Sequence, residues 1–239
     1  MLTDDLNFDD NFDLVDLFER KLAEYTGFRH AVAVDCCTNA LLISLVAKRI
    51  WFEEVRRVAR THLNMGSITV PRRTYLSVPM MLMNNGFKFR FTNTQWKGFY
   101  ELGNTAVFDA ATDLRKFMRA DYSRYFGRLP FVCVSFQQKK RLSLGRGGAI
   151  LLDDPYCCKL LRRLRHDGRE SRMTVSDELA SNPDRIILGY HCYMDPEKAA
   201  VGIAKLNQLE DTTKYAIHTS MEYPDISKLK FWKGRNGSR

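Results

Sequence analysis

Three places in this 239-residue chain carry residues whose types and spacing could do chemistry. The first lies between two apolar runs, residues 131–136 and 149–152. These read as strands buried on both faces, bounded by Pro130 and by the pair Gly147-Gly148. Between them sit a serine, the lysines Lys139 and Lys140, and three glycines, the make-up of an active-site loop held by a rigid scaffold. A loop lysine on its own is more often a solvated charge, so this stretch needs support from elsewhere in the chain. The second place is Asp35-Cys36-Cys37-Thr38, a turn between a strand over 31–34 and an apolar helix over 39–50. Such a turn can bind an anion, because the first helical N–H groups are unpaired and the helix dipole is positive there. The third is Asp109, which closes a strand over 105–108. At a strand's carboxyl end an aspartate serves a ligand or caps a following helix.

The surrounding pattern shows how these residues would be positioned. An amphipathic helix over 11–25 places Phe12, Val15, Phe18 and Leu22 at helical spacing and stops at Gly27. A basic helix is expected over 51–62, a strand over 67–70, a Met-rich helix ending at Met83, and a strand over 87–91. Beyond the central loop come a basic helix over 154–166, an irregular polar stretch over 171–185, and a helix over 196–209 with Pro196 near its first turn. Strands alternating with helices imply an α/β fold with a mostly parallel sheet and ligands at the strands' carboxyl ends. No repeat, low-complexity tract or Gly/Ser linker divides the chain.

Composition narrows the function. With 45% hydrophobic residues the chain can bury a sizeable core. No apolar run approaches the length of a membrane span and the start is acidic, so a cytoplasmic protein without a membrane partner is expected. Six cysteines without Cys-x-x-Cys spacing suggest reduced, mostly buried thiols and no metal site. The net charge of +9 raises the question of nucleic acid. However, no nucleic-acid motif is present and the arginines are spread over several segments, so a polyanionic small substrate accounts for the excess equally well.

Taken in order, these positions resemble the DegT/StrS family of pyridoxal-phosphate (PLP) sugar aminotransferases, a fold-type-I group. The motifs are Phe18-Glu19 with Tyr25-x-Gly27; Cys37-Thr38-x-Ala40-Leu41; Pro71-x-x-Thr74-Tyr75; Asp109-Ala-Ala111; Ser135-Phe136-x-x-x-Lys140; Gly147-Gly148; Leu164-Arg165-x-x-Gly168; and Gly189-Tyr190 with Ala199-Ala200-x-Gly202. Each is weak alone, and the ordered series is specific. Its spacing selects Lys140 over Lys139 as the cofactor-bearing lysine. The resemblance implies a three-layer large domain over residues 1–209. It also implies a short basic tail or remnant over 210–239, with most of the family's small domain missing. Lys140 would carry PLP, and Asp109 would pair with the pyridine nitrogen. Tyr75 would stack on the ring, while Cys37, Thr38 and Ser135 would hold the phosphate, with Thr112, Gln137 and His191 as further cofactor contacts.

The chain also departs from the family pattern. Thr112 stands where the family has His or Gln, Cys36 and Cys37 replace Ser and Gly, Arg146 replaces an acidic residue, and His191 and Tyr193 replace Asn and Arg. The resemblance further implies a homodimer in which the 191–194 segment approaches the neighbour's cofactor. The expected reaction moves an amino group from a donor such as glutamate to a nucleotide-linked keto sugar. The competing expectation is a shortened homologue with slow or no turnover that serves as a binding or partner subunit.

Overall fold

The computed structural model describes residues 12–59, 66–181, 186–209 and 218–232. The acidic residues Asp4, Asp5, Asp9 and Asp10, the end of the helix expected over 51–62, and the basic Lys233, Arg235 and Arg239 lie outside the described residues. The elements run α1 (Phe12–Thr26), β1 (His30–Val34), α2 (Cys37–Ala59), β2 (Ile68–Pro71), α3 (Ser77–Asn84), β3 (Phe89–Thr92), β4 (Tyr100–Glu101), β5 (Val107–Asp109), β6 (Phe131–Ser135), β7 (Gly148–Leu152), α4 (Pro155–Leu164), α5 (Val175–Ser181) and α6 (Pro196–Asn207).

Five strands form the main sheet in the order β1-β7-β6-β5-β4, and β2 pairs parallel with β3 separately. β1, β5 and β6 share one direction, while β7 and β4 oppose it. The α/β class holds, with a mixed sheet. β7 reverses because the loop joining it to β6 contains no helix to make the crossover that parallel neighbours need, so the chain folds back. Successive residues of the strands feed two cores, as a period of two requires. Val32, Val34, Phe131, Cys133, Ile150 and Leu152 pack toward α2 and α4. Ala31, Ala33, Val132, Val134, Ala149 and Leu151 pack toward α1 and α6. The result is the expected three-layer arrangement.

Two helices were expected over 39–50 and 51–62, but one continuous helix, α2, begins at Cys37 and runs to Ala59. No glycine or proline interrupts it, so nothing ends the ladder at Ile50. The stretch read as irregular over 171–185 contains α5, opened by a reciprocal cap in which Asp177 N donates to Thr174 Oγ1 and Thr174 N donates to Asp177 Oδ2. The C-terminal end, expected as a short basic tail or remnant, is anchored in its described part. Trp232 is buried against Phe89 and Phe91 and donates through its indole N–H to Ile226 O.

A buried ionic cluster joins α1, β1 and the C-terminal end of α4. Glu19 Oε1 accepts from Ala33 N at 2.8 Å and from the Arg165 guanidinium, which also donates to Ala33 O at 2.6 Å. Arg162 Nη2 donates to the other oxygen of Glu19 at 2.5 Å. The Phe18-Glu19 and Leu164-Arg165 motifs therefore meet across the fold.

Candidate functional site

Asp109 ends β5 directly opposite Tyr100 of β4. Tyr100 Oη donates to Asp109 Oδ2 at 2.6 Å, and Ala111 N donates to Oδ1 at 3.0 Å. With its own proton engaged, Tyr100 accepts from Thr74 Oγ1 at 2.5 Å. Asp109 is buried, and burial pushes its carboxyl above the usual range against the opposing pull of these two donors and of Lys140. No helix follows Asp109, so it does not serve as a helix cap. A buried carboxylate whose oxygens each retain acceptor capacity gains from a cationic N–H placed beside it.

Lys140 sits in the loop from β6 to β7. That loop is fixed by its own backbone: Phe136 N donates to Gly147 O, Leu144 N to Phe136 O, and Lys140 N to Gln137 O. Gln137 Oε1 accepts from Lys139 N, Arg141 reaches Leu114 O, and Lys205 of α6 reaches Ser143 O. Leu142 and Leu144 are buried beneath it. Gly145 and Gly147 adopt φ of 80° and 144°, which only glycine holds without strain. Lys140 is half-buried and its charge acts on Asp109 and on Cys37, whereas Lys139 is exposed.

The first turn of α2 faces the same space. Gly148 permits this approach, since a Cβ there would lie 2.5 Å from Cys37 N. Thr38 Oγ1 and Ser77 Oγ are 2.8 Å apart, so two hydroxyls flank the unpaired N–H groups of the helix start. Burial, foremost, raises the thiols of both Cys36 and Cys37, which keeps them neutral and free of repulsion toward an anion. All six cysteines are free thiols, as expected. Arg146 donates to Asp35 Oδ2 at 2.8 Å beside this turn.

These elements enclose a cavity of about 510 Å³, within the range of small-ligand sites. Cys37, Thr38, Tyr75, Asp109, Thr112, Ser135, Gln137 and Lys140 all line it. Thr112 Oγ1 is tied to Gly98 O, Ser135 Oγ accepts from Gln137 N, and the Tyr75 ring is 67% exposed. His191 does not line the cavity; it is exposed and pairs with Asp167 at 3.1 Å. The neighbouring Tyr193 bridges to Val34 and packs on His166.

Sequence reasoning missed Trp96, Tyr100, His218 and Tyr223, which also line the cavity. The register of β4 against β5 brings Tyr100 in, and residues 218–232 bring His218 and Tyr223. Gly98 N donates to His218 O, Ser220 N donates to Trp96 O, Arg73 donates to Tyr223 O, and Trp96 stacks at a tilt on both Tyr100 and Tyr223. No single local signal marks such a long-range wall.

A model of the DegT/DnrJ/EryC1/StrS aminotransferase family matches residues 7–93 and 107–223. The chain belongs to this family. No curated protein sequence matches it. Among solved structures, it resembles a sugar aminotransferase from Micromonospora echinospora at 18% identity, covering 82% of this chain and 60% of that one with a TM-score of 0.57. A DegT/DnrJ/EryC1/StrS aminotransferase from Brucella abortus matches at 19% identity, 83% and 59% coverage and a TM-score of 0.58. The GDP-4-keto-6-deoxy-D-mannose-3-dehydratase of E. coli, with bound hydrated PLP, matches at 15% identity, 82% and 60% coverage and a TM-score of 0.57. The chain spans about 60% of the length of these structures. At these identities the likeness establishes the fold, that of the fold-type-I large domain. Among the described residues, no helix of this family member is long and apolar enough to cross a membrane.

Proposed function

We propose that the cavity holds PLP and that the chain is an aminotransferase. In this reading it moves an amino group from an amino-acid donor such as glutamate to a nucleotide-linked keto sugar. One observation carries the reading: the buried Asp109, the half-buried Lys140 and the open first turn of α2 come from three separate elements and face one cavity. The donor set fits the group. A carboxylate suits the ring nitrogen, an amine suits the aldehyde, and a glycine-cradled helix start suits the phosphate.

PLP supplies an electron sink that lets an amino group leave one carbon and join another. The chain's residues do the rest. Lys140 Nζ would hold the cofactor and, once displaced, carry the proton at the donor's α-carbon. Asp109, kept in place by Tyr100 and Ala111, would hold the ring nitrogen protonated. The first N–H groups of α2, with the Thr38, Ser77 and Ser135 hydroxyls, would bind the phosphate, and Tyr75 would cover one face of the ring. Thr112 and Gln137 line the remaining wall.

The exposed position of His191 supports a homodimer in which the 191–194 segment serves the neighbouring copy's site. Sedimentation of PLP-loaded protein as monomers at micromolar concentration would remove that part of the reading.

The main test is chemical. Protein incubated with PLP should show an absorbance band near the visible edge, borohydride should abolish it, and peptide mapping should place the label on Lys140. A label on Lys139, or none at all, overturns the assignment. Glutamate added to the loaded protein should then be converted to 2-oxoglutarate in one turnover.

A further inference from the structure

Resting on the aminotransferase reading, we infer that His218, oriented by Glu222, is a substrate-recognition residue that binds an anionic oxygen group at the mouth of the cavity. His218 lines the cavity although it lies over a hundred positions after Asp109 in the sequence. Its main chain is fixed, since its carbonyl accepts from Gly98 N at 2.8 Å and the next residue, Thr219, bridges to Lys97. Its ring is fixed as well. Nδ1 lies 2.5 Å from Glu222 Oε2, and Glu222 is itself held by Thr219 N at 2.8 Å through its other oxygen.

A carboxylate at Nδ1 accepts the proton there, and when the ring carries both protons Nε2–H is a second, charged donor. The bond from Thr219 N, the foremost cause, holds the Glu222 carboxyl below its usual range and so keeps its charge. The side chain of His218 remains 37% exposed, open to a ligand.

The charge around the ring selects the ligand. Lys139, Lys140 and Arg146 line the same cavity, and among its described lining residues Asp109 is the one carboxylate, committed at the cavity floor to Tyr100 and Ala111. Such a mouth attracts anions. The group bound is a phosphate of a nucleotide-linked sugar or the carboxylate of the amino donor, which share the acceptor oxygens that Nε2–H and Lys139 can meet while Lys140 holds the cofactor. Thr112, a short hydroxyl tied to Gly98 O, leaves the neighbouring wall without a cation, and His218 stands on the other side of Gly98.

The test measures dissociation constants of GDP, UDP and glutamate on the PLP-loaded full chain by tryptophan fluorescence, since Trp96 lines the cavity. His218→Ala should weaken at least one of these ligands about tenfold. Loss for the nucleotides alone identifies the phosphate, and loss for glutamate alone identifies the carboxylate. His218→Arg, which restores a cation, should recover much of the affinity. Glu222→Gln keeps one acceptor oxygen for Thr219 N but replaces the oxygen beside Nδ1 with an amide N–H donor and removes the charge, so it should weaken binding by a smaller factor than loss of the ring. The double variant should bind no more weakly than His218→Ala, as expected when Glu222 acts through the ring. Unchanged constants in His218→Ala for all three ligands overturn the inference. Borohydride labelling of Lys140 is run on the same preparations. A missing label sinks the proposed function, whereas a His218-dependent affinity stands or falls separately.

Discussion

Tyr100 and Asp109 are registered partners of β4 and β5, and the phenol donates to the carboxylate at 2.6 Å from a buried position on the cavity wall. Tyr100→Phe removes that donor and strands Thr74 Oγ1. The Asp109 carboxyl, already raised by burial, should rise further, and less of it should be ionised at neutral pH. PLP affinity is expected to fall about tenfold, in keeping with the loss of one hydrogen bond to a charged group. Because the deficit lies in ionisation, raising the pH should recover part of it. A PLP titration of both proteins at two pH values checks this.

Asp109→Asn should fold normally and bind PLP more weakly still, by at least tenfold, without recovery at high pH, since the amide has no charge to regain. Equal affinities in variant and parent would remove Asp109 from the site.

Gly148→Ala tests the cradle. The added Cβ would meet the backbone of Cys36 and Cys37 at 2.5–2.8 Å, and neither can yield without moving the start of α2. A loss of about 2–4 kcal/mol in urea unfolding is expected. PLP affinity should fall with it, since the displaced N–H groups are those that face the phosphate.

Lys48 offers a pH signature away from the site. It is buried on α2, where Nζ donates to Arg128 O at 2.9 Å and Leu129 O at 2.5 Å and lies 4.3 Å above the Phe131 ring. Burial, the largest cause, lowers it from 10.5 to about 8, with Cys157, Arg128, Asp154 and Glu101 as the other groups acting on it. Between those values the unfolded chain binds more protons than the native one. Stability from this group therefore rises as pH increases from about 8 toward 10.5, by roughly 3 kcal/mol in total. Lys48→Met should lack that rise, so the stability of the parent relative to the variant should grow across this window. Parallel urea curves at each pH measure it.

Glu19→Ala leaves Arg165, with 4% of its side chain exposed, as an uncompensated buried charge. A loss of about 3–5 kcal/mol is expected, and Arg162, itself a cation that also pairs with Asp16 at 3.6 Å, offers no compensation. Thermal melting of the variant checks this.

The sequence revealed the parts of this molecule that are continuous and buried. β6 and β7 showed as apolar runs because both of their faces are covered; Asp109 stands next to such a run, whereas Lys140 was separated from Lys139 only by the spacing of the family motif. α2 was divided at Ile50 because the sequence turns basic there, although a change of charge does not stop a helix. β4 was invisible, since two residues, Tyr100 and Glu101, carry no period. Tyr100 could not be assigned to Asp109 without knowing the register that pairs them. His218 and Tyr223 lay in a segment whose pattern had faded. They reach the cavity through backbone bonds to Gly98 and Trp96 and through Trp232, contacts that the local sequence does not encode.

The strand β1 forms one margin of the main sheet, where an open ladder would invite another chain to pair. At Ala33 that invitation is withdrawn. The outward N–H is taken by Glu19 and the outward carbonyl by Arg165, two side chains standing where a neighbouring strand's backbone would stand. An extended peptide offered to this margin finds its hydrogen bonds already occupied at Ala33. Beside it the backbone at Cys192 and Tyr193 pairs with Val34 and Asp35, so fibre-like growth of the sheet is blocked at that margin by one carboxylate, one guanidinium and a short stretch of the chain's own backbone.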